Sequence, residues 1–210
     1  MLRERYLFGD IYTPSLGELG GLRSDIHRLF SCYERDWGHA QSVARNLFYG
    51  ATDAIQDAGE AILSLEPGFP SGKEILAIYG LLQALFIQQD AVLQLEAAVL
   101  YGTLSNKRGW KQMDLELQKI RTLRNRVSGH PSHAKDAGGT ASIPLVRSPY
   151  HLEAAIYGLP EGSDDERFPK FHIGNLIERN ARGLSSILKE AYVKLGDEAH
   201  ARQAMWARPA

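Results

Sequence analysis

Between about Lys73 and Leu104 the chain is apolar on more than one side. Ile75, Leu76, Ile78, Leu81, Leu82, Leu85, Phe86, Ile87, Val92, Leu93 and Leu95 cannot be gathered onto one stripe of a helix. A helix of this kind must be covered around most of its circumference, so it is either central to its own domain or shared with a partner subunit. Its greasiest part, Ile75 to Ile87, is interrupted by Gly80 and Gln83 and then meets Gln88-Gln89-Asp90. That is short of the roughly 20 apolar residues of a membrane span, so it reads as a core helix and no membrane association is expected.

The segments around it carry the period of one-sided helices. Leu22, Ile26, Leu29, Phe30 and Tyr33 recur at three- and four-residue steps up to Trp37, and Val43, Leu47, Ala51, Ile55, Ala58 and Ile62 do so between Gln41 and Leu65. Pro67-Gly68-Phe69-Pro70 stops that second helix. A fourth helix is expected from about Lys111 to Ser128, and a last one from about Phe171 to Leu195. Residues 1–21, with Pro14, Gly17, Gly20 and Gly21, read as an irregular lead-in, and residues 196–210 as a tail that frays. Thr140–Arg147 and His151–Tyr157 read as a small β-hairpin after the fourth helix, with helix as the alternative for Leu152–Ile156. The expected architecture is one mainly α domain over residues 22–195.

Composition narrows the function classes. At 44% hydrophobic and 23% charged, the 210 residues match an ordinary globular protein and not a disordered one. A net charge of −1 supplies no global basic field, so any nucleic-acid contact must be local. The single cysteine, Cys32, forms no intrachain disulfide and no cysteine-based zinc cluster. The first ten residues lack the apolar run of a signal peptide, which makes the cytoplasm the expected location.

One charged residue breaks the helical pattern. On a wheel at about 100° per residue, Trp110, Met113, Leu117, Ile120, Leu123 and Val127 share a broad apolar face of the fourth helix, and Arg124 falls near its middle. Lys111, Lys119 and Arg126 point elsewhere. Taking a guanidinium out of water costs several kcal/mol unless it is paired. Either an internal pair or a snorkelling head group compensates, or the guanidinium is held in a cleft for a bidentate anion such as phosphate. Six residues on, His130 stands between Gly129 and Pro131, where the chain can turn back and set an imidazole near the same end of the face.

Arg124-Asn125-Arg126-Val127-Ser128-Gly129-His130-Pro131 resembles the R-polar-x4-H signature of HEPN domains, the helical "higher eukaryotes and prokaryotes nucleotide-binding" superfamily. The resemblance covers mainly Lys73 to Leu195. It implies a HEPN-like antiparallel helical bundle that dimerises so that two copies of the motif line one composite cleft. It further implies cleavage of RNA without metal or other cofactor, leaving a 2′,3′-cyclic phosphate. Carried onto this chain, Arg124 would neutralise the scissile phosphate, His130 would move protons at the 2′-hydroxyl or leaving oxygen, and Asn125 would orient both.

Arg121 and Arg126 would extend the site into a small basic patch for the RNA backbone, the alternative being a solvated helix end that complements the helix dipole. His133 and Lys135, just beyond, read as exposed loop residues. No phosphate-binding glycine loop, nucleophile elbow or His-Glu-x-x-His motif occurs. The acidic run Asp164-Asp165-Glu166 lacks calcium-loop spacing and reads as a solvated loop. Two classes of function remain. The first is an RNase toxin or antiphage effector, for which the resemblance implies a cognate antitoxin such as a nucleotidyltransferase-like protein. The second is a catalytically inactive HEPN-like module that binds nucleotide or a protein partner, with Arg124 in a structural role. An unrelated helical scaffold, in which the motif is coincidence, is weakened by the arginine on an apolar face.

Overall fold

The computed structural model describes residues 2–33, 42–65, 74–101, 109, 112–125, 141–148, 151–157 and 170–206. The chain is mainly helical. Helix α1 runs Leu2–Tyr33, α2 Ser42–Leu63, α3 Glu74–Tyr101, α4 Leu115–Arg124 and α5 Ile173–Trp206. Between α4 and α5, the short strands β1 (Ala141–Ser148), β2 (His151–Tyr157) and β3 (Lys170–His172) pair antiparallel in the order β1-β2-β3. Ala141 faces Tyr157 and Val146 faces Leu152, with a register shift before Ser148, and Leu152 faces Phe171 on the other side.

Helix α3 is the axis of the molecule and packs against α2, α4 and α5, while α1 lies along α5 and touches α2. Leu81, Leu82, Leu85, Val92, Leu93 and Leu95 of α3 are all buried, on sides that a single stripe would not cover. This is the central helix expected from an apolar pattern without one polar face. Its apolar character resumes after Asp90, so that Leu76–Leu100 is long and apolar enough to cross a membrane by length and composition. More than half of that stretch is buried inside the protein, and it carries buried Gln88, Gln89 and Glu96. The polar trio at 88–90 therefore lies within the helix and does not end its apolar run.

Three boundaries differ from expectation. Residues 1–21 are no irregular lead-in: α1 begins at Leu2 and passes through Pro14, Gly17, Gly20 and Gly21. Leu16, Leu19, Ile26 and Phe30 form one buried stripe that crosses the glycines, and Glu18 pairs with Lys189 of α5 at 2.5 Å. A helical glycine costs about 1 kcal/mol against alanine, whereas burying each leucine returns about 1.5–3 kcal/mol. Burial against α5 therefore overrides local propensity. At the other end, α5 does not stop near Leu195 but continues through Gly196 to Trp206. One glycine is a small penalty once a helix is nucleated, and Glu198-Ala199-His200-Ala201-Arg202-Gln203-Ala204 is rich in residues that propagate it.

Helix α4 starts later than Lys111, because Asp114 caps it: its carboxylate accepts a hydrogen bond from the backbone N–H of Glu116 at 2.8 Å. Met113, Leu117, Ile120 and Leu123 are buried beneath it. The helix lies close to α5 over Gly183, where a Cβ would stand 2.9–3.0 Å from the Leu117 side chain. Glu116 ties the outer edge of the same contact, accepting from Lys119 Nζ at 2.7 Å and from Arg179 Nη1 of α5 at 2.8 Å. The Lys119 hydrogen bond, with Arg179 adding, holds the Glu116 carboxyl below its ordinary value of 4.5.

Candidate functional site

The site grows from the contact of α4 with α3. Arg121 and Arg124 lie one turn apart on α4, opposite Gln83, Phe86 and Asp90, which lie one and two turns apart on α3. Both guanidiniums stack on one aromatic ring: the Cζ of Arg121 is 4.1 Å and that of Arg124 is 4.2 Å from the Phe86 centroid. Two like charges on one ring repel, so each is pinned separately.

Arg124 is gripped along one edge by a neutral amide. Gln83 Oε1 accepts from its Nε at 3.2 Å and from its Nη2 at 2.7 Å. Asn125 Oδ1 accepts from Nη1 at 3.0 Å. These bonds engage at least three of the five guanidinium N–H groups, and with the ring beneath they define both the plane and the rotation of the group. Arg124 is half-buried, as its position on the apolar face of α4 requires.

Arg121 is held by charge. Its Nη1 lies 3.0 Å from Asp90 Oδ1, with the arginine side chain 12% exposed and the aspartate 32%. The atoms are close, but Nη1 makes no properly directed hydrogen bond, so the pair is an ion contact without hydrogen-bond geometry. Arg121 is thus not the solvated helix end that its sequence position allows. It is a largely covered member of an Asp90–Arg121–Phe86–Arg124–Gln83 array.

Of the residues singled out from sequence, Arg124 and Asn125 are in direct contact and Arg121 shares their aromatic support. Asn125 is exposed and keeps helical dihedrals, its N–H pointing to the carbonyls of Arg121 and Thr122. Arg126 and His130 lie outside the described residues, as do His133, Lys135 and the acidic run Asp164, Asp165 and Glu166. Among the described residues, no three His, Cys, Asp or Glu side chains gather in a way that would hold a metal ion. Cys32 is exposed on α1.

Gln83, Phe86 and Asp90 were not singled out from sequence as site residues. The signal was present: 83, 86 and 90 follow the i, i+3, i+7 spacing of one helical face, with an amide, a ring and a carboxylate in a helix that is otherwise apolar.

Behind the array runs a second polar chain. Gln89 Nε2 donates to the Leu117 carbonyl of α4 at 3.3 Å and to Asn180 Oδ1 of α5 at 2.9 Å. Asn180 Nδ2 donates to Gln88 Oε1 at 2.8 Å. All three amide side chains are at most 1% exposed, and they lock the mutual heights of α3, α4 and α5 where the two arginines emerge. Compared with known proteins, the chain matches no family model, no curated protein and no solved structure at a significant level.

Proposed function

We propose that the protein is a metal-independent endoribonuclease of HEPN type, with Arg124, Asn125 and His130 as its catalytic residues and Arg121 and Arg126 flanking the RNA backbone. One observation carries the reading. The Arg124 guanidinium is fixed in plane and rotation by Phe86, Gln83 and Asn125, at the end of the helix that leads into Ser128-Gly129-His130. A preorganised cation with a proton carrier six residues on in sequence supplies the two groups that cleavage by 2′-hydroxyl attack needs: positive charge at the phosphate, and a group that gives and takes protons. The fold accompanying this reading is a HEPN-like antiparallel bundle, with the strands between α4 and α5 as an insertion after the motif helix. The working unit is a homodimer in the cytoplasm, and its setting is a toxin or antiphage effector restrained by a partner such as a nucleotidyltransferase-like antitoxin.

A second reading is favoured by the same grip on Arg124. Gln83 and Asn125 engage the guanidinium from within the chain, which also suits a catalytically inactive HEPN-like module that binds nucleotide or a protein partner. The deciding experiment is RNA cleavage in EDTA by the wild type, His130→Ala and Arg124→Ala. The nuclease reading expects fragments ending in cyclic phosphate and a loss of about 10²–10⁴-fold in His130→Ala, with dimer and fold unchanged by light scattering and circular dichroism. Cleavage that persists in His130→Ala, or that requires magnesium, overturns it.

A further inference from the structure

On the side of α3 turned away from the arginines, α1 and α2 leave a cleft of about 200 Å³. Leu19 of α1 and Ile55 of α2 line it, and Gly17, Gly20 and Gly59 keep it open. A Cβ built at Gly17 or Gly20 would meet nothing within 4 Å, and one at Gly59 would meet only Gln88 Nε2, at 3.8 Å. The space is larger than the engineered cavity of about 150 Å³ that suffices to hold benzene.

The floor is polar, and its polarity has a sign. The Leu117 carbonyl can only accept, so Gln89 must present its Nε2 to it. Gln89 Nε2 then donates to Asn180 Oδ1, which leaves Asn180 Nδ2 to donate to Gln88 Oε1. The amide orientation of Gln88 is thereby dictated from the far side of the core. Its Nε2 is left over, beside Gly59 in the cleft wall, with no acceptor among the described residues. Gln88 as a whole is 1% exposed, and it lines the cleft, so this donor borders a mostly apolar space and not the open protein surface.

The mouth is electrically balanced. Arg23 Nη1 donates to Gln56 Oε1 at 2.9 Å, and Gln56 Nε2 donates to Glu60 Oε1 at 2.8 Å. A cation and an anion bridged by one amide make no anion trap.

We propose that this cleft binds a small, neutral, largely apolar molecule carrying a carbonyl or equivalent acceptor, which takes the hydrogen bond from Gln88 Nε2. The inference is independent of the nuclease reading: it uses no residue of the arginine site, and either one stands if the other fails. The test is titration of the full chain with benzamide and with cyclohexanone, read by ¹H–¹⁵N NMR at the backbone amides of Gly17, Gly20 and Gly59 and at the side-chain amide of Gln88. At least one of these probes is expected to give saturable shifts at those positions, and toluene, which lacks an acceptor, to bind at least ten-fold more weakly. Gly20→Leu fills the cleft from a helical position with open space and should abolish the shifts. Gly17→Leu serves the same purpose from one turn earlier if the first variant does not fold. No saturable shift with either probe, equal binding of toluene, or binding unchanged in the folded glycine variant overturns the proposal.

Discussion

Phenylalanine is used in two ways on the two sides of this bundle. Between α1 and α2, Phe30 and Phe48 lie face to face, with centroids 3.7 Å apart and planes within 7°, and both are essentially inaccessible to solvent. Tyr49 meets both rings edge-on. Between α3 and α4, Phe86 is half-buried and carries a guanidinium from each of Arg121 and Arg124. The first arrangement removes hydrocarbon from water and asks nothing of direction. The second gives up apolar burial to hold charge in a set orientation, where a well-packed hydrophobic contact of similar volume would often be as stable or more so. The Phe30–Phe48 contact is thus built for burial, and the Phe86 contact for direction.

The largest effect should fall on the apolar side. Phe48→Ala removes a fully buried ring from the α1–α2 contact and is expected to cost about 3–5 kcal/mol in chemical denaturation. Phe86→Ala should cost clearly less, since its ring is half-buried, while weakening whatever activity depends on Arg124. Equal losses for the two would erase the distinction.

Next comes the buried amide chain. Asn180→Ala leaves Gln88 Oε1 and one Gln89 N–H without partners inside the protein, at about 1–3 kcal/mol for a stranded group. A total near 3 kcal/mol is expected from denaturation, with amide exchange accelerating on α3, α4 and α5 more than on α2. Acceleration spread evenly over all helices would show that the chain does not hold α4 in particular.

How far such contacts can be read from sequence depends on whether one helix or two make them. The α3 pattern already demands a central helix, and the wheel of α4 already sets Arg124 against the core, because both are properties of a single helix. Gln83 looks like a mere interruption of an apolar run, and Gln88-Gln89 like its end, until α4 and α5 supply the partners. Arg121 passes for a solvated helix end for the same reason: only the docking of α3 brings Phe86 and Asp90 to it. The start of α1 is misjudged in the opposite sense, since glycines and a proline are local signals and the burial of Leu16 and Leu19 against another helix is not.

The two arginines divide the polar side more finely. Arg121→Ala removes the ion contact with Asp90 and the guanidinium over Phe86 and, after discounting for the partial exposure of the carboxylate, should cost about 2 kcal/mol. Arg124→Ala leaves behind a half-buried amide, Gln83, and should cost about 1 kcal/mol. Thermal melts of both variants check the order. If Arg124→Ala proves the more destabilising, its grip is structural and the inactive-module reading gains.

The smallest effect is expected at the exposed rim of the same contact. Glu116 joins α4 to α5 through Arg179 and is bonded to Lys119, and its carboxyl is held below its ordinary 4.5, first by the Lys119 hydrogen bond and then by the two positive charges. A carboxyl with a depressed folded value contributes stability that is present above pH 4.5 and is lost as pH falls through that folded value. Glu116→Gln cannot titrate, so wild type and variant should differ most at neutral pH and converge on acidification below 4.5. Both partners are largely exposed, so the gap should be only a fraction of the Arg124→Ala effect and should shrink in high salt. Melting curves at pH 7 and below 4, each at low and high salt, test this: a gap that persists at low pH would mean that Glu116 acts through packing against α5 and not through its charge.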